Sequence, residues 1–172
     1  MRFNYSILSK ANDEQAVLDY YTGKEGYKSK AMNDGVGLHE KMKEQRVVLP
    51  FMNAEKCEWE YHFECSDVDI DHVISGYIDV FDGEYLVDWK LSTREAGKHD
   101  PMQLYFYNYW LMMSTHALIK HKYGVIVQVD NDMNVLSKAM YEFTKKTNAE
   151  AVLWYVRRRN KIIDILERNK LI

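Results

Sequence analysis

Asp79, Asp88 and Lys90 flank a hairpin signal that sets where they stand relative to one another. Asp82-Gly83 joins two apolar runs, residues 73–81 and 84–91, and a two-residue turn there makes Phe81 oppose Glu84. Val80 then meets Tyr85, Asp79 meets Leu86 and Tyr77 meets Asp88. Alternation gathers Tyr77, Asp79, Phe81, Glu84, Leu86, Asp88 and Lys90 on one face, with Ile78, Val80, Val87, Trp89 and Leu91 on the other. Asp79 and Asp88 become diagonal neighbours whose Cα atoms lie roughly 7–8 Å apart, and carboxylates leaning together from there can hold one ion at ~2.1 Å. A strand so rich in Val, Leu and Trp reads as central, where an unpaired carboxylate is costly. Something cationic must therefore lie between them. Either Lys90 forms a structural salt bridge, or a divalent metal binds.

Other side chains can be weighed in the same way. Gln103 and Tyr107 stand at i and i+4 of one helix face, which suits substrate positioning and equally a buried hydrogen-bonded pair. Glu60, His62 and Glu64 share one strand face that reads as solvated, although any of them can supply a ligand. Asp67, Asp69 and Asp71 have the spacing that opens a calcium loop, but His72 replaces the needed Gly and Ile78 the needed Glu, so no such site is expected. Arg157, Arg158, Arg159 and Lys161 form one basic cluster; Lys24, Lys28, Lys30, Lys41 and Lys43 form another. Both suit phosphates, and both suit ordinary solvent-facing helices. Tyr105, Tyr109 and Trp110 can stack on bases, yet on an apolar helix they read as core.

The elements that carry these residues follow from period and punctuation. Ser9 opens a first helix that Gly23 and Gly26 end, and Asn33 or Asp34 caps a second over about residues 35–46, before Pro50. Residues 58–65 alternate strictly as a half-buried strand, followed by the hairpin. Asp100-Pro101 starts a buried helix running to about residue 118. Strands over 123–129 and 137–144 and a long amphipathic helix from Asn148 to about Asn169 complete the chain. The order α-α-β-β-β-α-β-β-α makes a single α/β (α+β) domain over residues 1–172, a central mixed β-sheet flanked by helices.

With these residues placed, the chain resembles a known family. Gly76 to Asp79 followed by Asp88-Trp89-Lys90 is similar to the catalytic hairpin of the PD-(D/E)XK nuclease superfamily, in its RecB-like exonuclease branch. Gly35 and His39 match the Gly-x-x-x-His pattern of that branch's upstream helix, and Gln103 and Tyr107 match its Gln-x-x-x-Tyr motif. The resemblance runs from about Tyr5 to Tyr107 and implies a restriction-endonuclease-like core. It implies Asp79, Asp88, His39 and the Trp89 carbonyl as ligands of Mg²⁺ or Mn²⁺, with His39 favouring Mn²⁺. Lys90 would act on the attacking water or the phosphate, and Gln103 and Tyr107 would position substrate. The chain departs from the pattern in having Ile78 rather than Pro before Asp79. It also lacks the four cysteines that hold an iron-sulfur cluster in some relatives and the P-loop of a helicase motor, so no cluster is expected.

Composition bounds the setting. The 172 residues are 47% hydrophobic and 28% charged with net charge -3, which suits a compact domain and gives no bulk-charge argument for nucleic acid. Cys57 and Cys65 read as buried thiols of a reducing compartment. No apolar run approaches a membrane span and residues 1–10 lack a secretory signature, so the expected location is cytoplasmic, with no membrane partner. The 13 tyrosines suit a half-wet surface that touches a partner. The expected function is metal-dependent hydrolysis of DNA phosphodiester bonds, most naturally by an exonuclease serving recombination, repair or the replication of a phage or other mobile element, with recombination or replication proteins as partners. The rival expectations are a nuclease-fold protein that binds without cleaving, and a structural domain in which Lys90 pairs with an Asp.

Overall fold

The computed structural model describes residues 1–24, 30–67, 72–115 and 121–172, with backbone alone for 30–36 and 67. Gly26, Lys28, Asp69, Asp71 and the end of the helix expected to reach residue 118 lie outside the described residues, as does the side chain of Lys30.

A mixed sheet forms the centre, as the order of elements requires. Its strands are β1 (Arg2–Phe3), β2 (Glu58–Asp67), β3 (His72–Phe81), β4 (Tyr85–Leu91), β5 (Tyr123–Val129) and β6 (Val135–Glu142). The helices are α1 (Tyr5–Ser9), α2 (Glu14–Tyr21), α3 (Lys30–Glu44), α4 (Met102–Ser114) and α5 (Lys145–Arg168). Two cores separate on the sheet's faces. Leu104, Phe106, Trp110 and Leu111 of α4 join Tyr155, Ile162, Ile165 and Leu166 of α5 and Ile7, Leu8 and Val17 over Ile74, Ile78, Phe81, Leu86 and Ile126. On the other face Leu38 and Met42 of α3, with Leu49 and Met52, cover Val80, Val87, Trp89, Val125 and Val127.

The first helix expected from sequence is two helices. Asn4 caps α1 by accepting the Ile7 N–H and Asp13 caps α2 by accepting the Ala16 N–H, so Ser9 ends a helix rather than opening one. Met102 N–H donates to Asp100 Oδ1, so α4 begins one residue past Pro101. Thr144 and Thr147 form a reciprocal cap that starts α5 before Asn148. Cys57 and Cys65 form no disulfide and are half-buried rather than buried.

The hairpin register differs from expectation by one step. Asp82 Oδ1 accepts the N–H groups of Glu84 and Tyr85, and Asp82 N–H donates to Tyr85 O, which makes Asp82 the first residue of the turn rather than a central one. Gly83, at φ +92°, and Glu84 form its tip. Phe81 therefore pairs with Leu86 and Val80 with Val87.

There the β3–β4 ladder stops. β2 pairs along one edge of β3 from Asp67↔His72 to Glu58↔Phe81. The opposite edge is shared, with β1 at Val73 and Ile74 and β4 at Val80 and Phe81. Past Val87, β4 leaves β3 and follows β5 in parallel to Leu91. A fork results, open along residues 75–79.

The fork also changes the facing of side chains. Ile78, expected beside Val80, packs in the core under α4, whereas Val80 packs in the core under α3. On the neighbouring strand Trp59 and Tyr61 divide in the same way. Between them Glu60 adopts φ +52°, a left-handed conformation costing a non-Gly residue roughly 1–3 kcal/mol. The strain re-aims the Glu60 carboxylate into the fork.

Candidate active site

Three carboxylates, two cations and a pair of polar side chains from α4 meet where β3 and β4 part. Asp79 Oδ2 accepts the Trp89 N–H at 2.7 Å, replacing the ladder bond that the diverging strand loses. Its Oδ1 faces His39 Nδ1 at 3.2 Å, and Glu60 Oε1 faces the same nitrogen at 3.7 Å. α3 supplies His39 because Leu38 and Met42 bury the adjacent helix face and leave His39 at the edge of the sheet contact. Burial pulls the imidazole pKa down, but the two carboxylates outweigh it and raise it to about 10. One potential ligand atom from each of His39, Glu60 and Asp79 lies within 4.8 Å of the others.

Asp88 occupies the other prong, only 3% exposed. Lys90 Nζ stands 2.9 Å from Asp88 Oδ2, close enough for an ion pair, though among the described residues that oxygen has no directed hydrogen bond. Burial pushes the Asp88 carboxyl up; Lys90 opposes the rise and Asp79 adds to it, leaving it near 6. Lys90 also donates to Gln103 Oε1 at 3.0 Å, and Gln103 Nε2 donates to the Tyr107 hydroxyl at 3.3 Å. Burial, with the charges of Asp88 and Asp79, raises the Tyr107 pKa well above its usual value and keeps its proton in place. Gly76 lets Tyr107 in: a Cβ there would lie 2.8 Å from the Tyr107 ring and 2.7 Å from Phe63.

Every site residue expected from sequence is at the fork, in two connected groups: His39 with Asp79, and Asp88, Lys90, Gln103 and Tyr107. Trp89 links them through its N–H, its ring buried under α3. Of the solvated-face candidates, Glu60 belongs to the site, His62 stacks on Tyr77 and Glu64 pairs with Arg2 at 2.9 Å. Tyr5 belongs near it too, with no signal in the sequence beyond its aromatic type. Its ring stacks on Trp154 at 5.2 Å and meets Tyr107 edge-on at 6.3 Å. Burial and the charges of Asp100 and Asp88 raise its pKa to about 12 against the pull of Arg158. Arg158 lies over the Trp154 ring at 5.7 Å, Arg159 packs over Tyr155, and Lys161 donates to Asn12. Trp110 is core, as expected.

Comparison with solved structures finds the same architecture elsewhere. A candidate exonuclease from Eubacterium rectale superposes with a TM-score of 0.64 at 12% identity, over 94% of this chain and 80% of that one. The alkaline exonuclease LHK-Exo from Laribacter hongkongensis gives 0.61 at 14% identity, over 98% and 91%. The fold is shared. A further structure of LHK-Exo, in complex with dAMP, gives 0.55 at 14% identity, over 98% and 94%. No protein-family model and no curated protein sequence matches the chain. Among the described residues no helix is long and apolar enough to cross a membrane.

The His39 ion pair has a pH signature. Its folded pKa, about 10, stands above the ordinary 6.5, so the stability it contributes is complete below about pH 6.5 and disappears as pH rises toward 10. In EDTA the melting temperature should decline across that window, and His39→Gln should flatten the decline. A decline that survives the substitution unchanged would assign the proton to another group.

Proposed function

We propose that the protein is a divalent-metal-dependent deoxyribonuclease that digests DNA from its ends, in the manner of the RecB-like branch of the PD-(D/E)XK nucleases. The observation that carries this reading is the meeting of His39, Glu60 and Asp79 with Asp88, Lys90, Gln103 and Tyr107 at a fork in a sheet whose fold is shared with exonucleases.

The donor set fits a metal ion. One imidazole and carboxylate oxygens suit Mn²⁺ and, with more retained water, Mg²⁺. The buried Asp88 Oδ2, held by charge without a directed hydrogen bond, is an acceptor suited to a cation. His39, Glu60, Asp79 and Asp88 would hold the ion, with the Trp89 carbonyl as a further ligand. His39 must give up its proton to bind, so binding releases a proton and strengthens as pH rises. Once bound, the ion would polarise the scissile phosphate and lower the pKa of a water molecule.

The chain's own groups do the rest. Lys90, held between Asp88 and Gln103, presents a fixed positive charge to the oxygens on which charge builds. Gln103 fixes the direction of the Lys90 ammonium and orients the Tyr107 hydroxyl, which keeps its own proton to donate to a phosphate oxygen. Arg158 and the exposed Arg157 would meet phosphates further along the strand.

Incubation with matched linear and circular DNA, in single- and double-stranded forms, tests the proposal. With Mn²⁺ the linear molecules should shorten from their ends and the circles should persist; EDTA should stop the reaction, and excess Mn²⁺ should restore it at least as well as Mg²⁺. Intact linear DNA under every condition, or full digestion in EDTA, would overturn it.

A further inference from the structure

Tyr77 is the one exposed residue of β3, 59% exposed in the middle of a central strand. A large aromatic left open there is unusual, because sheet faces at the centre of a domain are normally covered. Ile78 packs beneath α4, so alternation sends Tyr77 to the opposite side, the side from which His39 enters. α3 covers that face over Val80, Val87 and Trp89, and Ser75 is buried, so the exposure is confined to Tyr77. His62, directly across on β2, lays its ring on Tyr77 at 4.6 Å and 30°. The pair forms a braced, solvent-exposed aromatic surface.

Its place in the sheet relates it to the metal-ligand cluster. Tyr77 lies two residues before Asp79, and His62 two residues after Glu60, on paired strands. Counted along the backbone, the stacked pair stands two residues, ~7 Å, from Glu60 and Asp79 on their own strands. That spacing matches the reach from a nucleotide's base to its own phosphate.

We propose that Tyr77, braced by His62, is a stacking subsite for the nucleobase adjoining the scissile phosphate; this rests on the deoxyribonuclease reading above. Stacking on a π-face tolerates every base, so the subsite would hold the strand without reading its sequence. A base seated there sets the register of its phosphate against Asp79 and Glu60. The strand must be unpaired at that nucleotide, because a base in a duplex has no free face to lay on a flat sheet surface. The ligand is therefore a splayed, single-stranded nucleotide at or next to an end.

The test uses an oligonucleotide whose cleavage position has been mapped with the wild-type protein, and a copy carrying an abasic site at the nucleotide flanking the scissile bond. Tyr77→Ala should lower kcat/KM on the normal strand by about 10-fold, mainly through KM, while Tyr77→Phe stays near wild type. The abasic copy should cost the wild type a similar factor and cost Tyr77→Ala little more. Mn²⁺ titration should give the same affinity for wild type and Tyr77→Ala, separating lost stacking from damage to the cluster. If the wild type cuts and Tyr77→Ala equals it, or if the two losses multiply in full, the stacking subsite is wrong and the nuclease reading stands. If the wild type cuts no DNA, both fall together.

Discussion

Asp88→Asn should lower single-turnover cleavage of linear DNA in Mn²⁺ by roughly 10³-fold, the upper range for removing one preorganised electrostatic group from an active site. The fold should not suffer. Burial raises the Asp88 carboxyl from 3.8 to about 6 even with Lys90 beside it, so ionising it costs the folded state free energy. The folded protein holds this proton more tightly than the unfolded chain, and stability therefore falls as pH rises from about 4 to 6. Asn has the same shape and no charge. Lys90 keeps Gln103 and is partly open to water, so losing its anionic partner does not strand a buried cation. In EDTA at pH 7, denaturant unfolding of Asp88→Asn should show no loss beyond about 1 kcal/mol, and the stability decline between pH 4 and 6 should flatten. Cleavage within tenfold of wild type would remove Asp88 from the mechanism. A loss of ~3–5 kcal/mol would mark it as a structural ion-pair partner.

The grouping of the candidate site residues was legible in the sequence because it is local. A turn residue pair between alternating strands puts Asp79, Asp88 and Lys90 on one face under either register, since a shift that keeps odd residues opposite even ones preserves the face. The identity of the turn's first residue was not legible. It depends on the Asp82 side chain capturing Glu84 and Tyr85, with Asn53 N–H donating to its second oxygen from a distant segment. Period also failed at Glu60 and Ile78. Trp59, Tyr61, Phe63 and Cys65 alternate as if they share one core, but a left-handed turn at Glu60 and the opening of the β3 edge divide them between two. Nothing in residue type announces a left-handed Glu. β1 is two residues long and carries no period, so only its pairing with Val73 and Ile74 reveals it.

That failure of period coincides with the candidate site. A regular β3–β4 ladder would carry Asp79 and Asp88 on an even surface, each flanked by satisfied backbone. The fork instead frees the Trp89 N–H for Asp79, opens space that Tyr107 enters over Gly76, and turns Glu60 toward His39. Local rules are broken where ligands converge, and the strain is offset by two apolar cores that pin the strands on either side.

On the proposed reading, in which the ammonium acts on charge that develops in the transition state, Lys90→Ala should lower cleavage by at least about 10²-fold while Mn²⁺ still binds. Its pairing with Asp88 at 2.9 Å offers a rival account in which Lys90 serves only to keep that carboxylate ionised. The two accounts separate with pH. Removing Lys90 takes away the strongest influence holding the Asp88 pKa down, so it rises further and the carboxyl keeps its proton to higher pH. Protonation caps the stability loss below the ~3–5 kcal/mol of a stranded buried charge. It also extends the decline in stability with rising pH past 6, toward the new folded pKa, which thermal melts in EDTA would record as a widening gap from wild type. If Lys90 acts on the phosphate or the water, the rate deficit persists at alkaline pH after Asp88 has ionised again. If it serves Asp88 alone, the deficit closes as pH rises, and the assignment of Lys90 to the reacting phosphate fails.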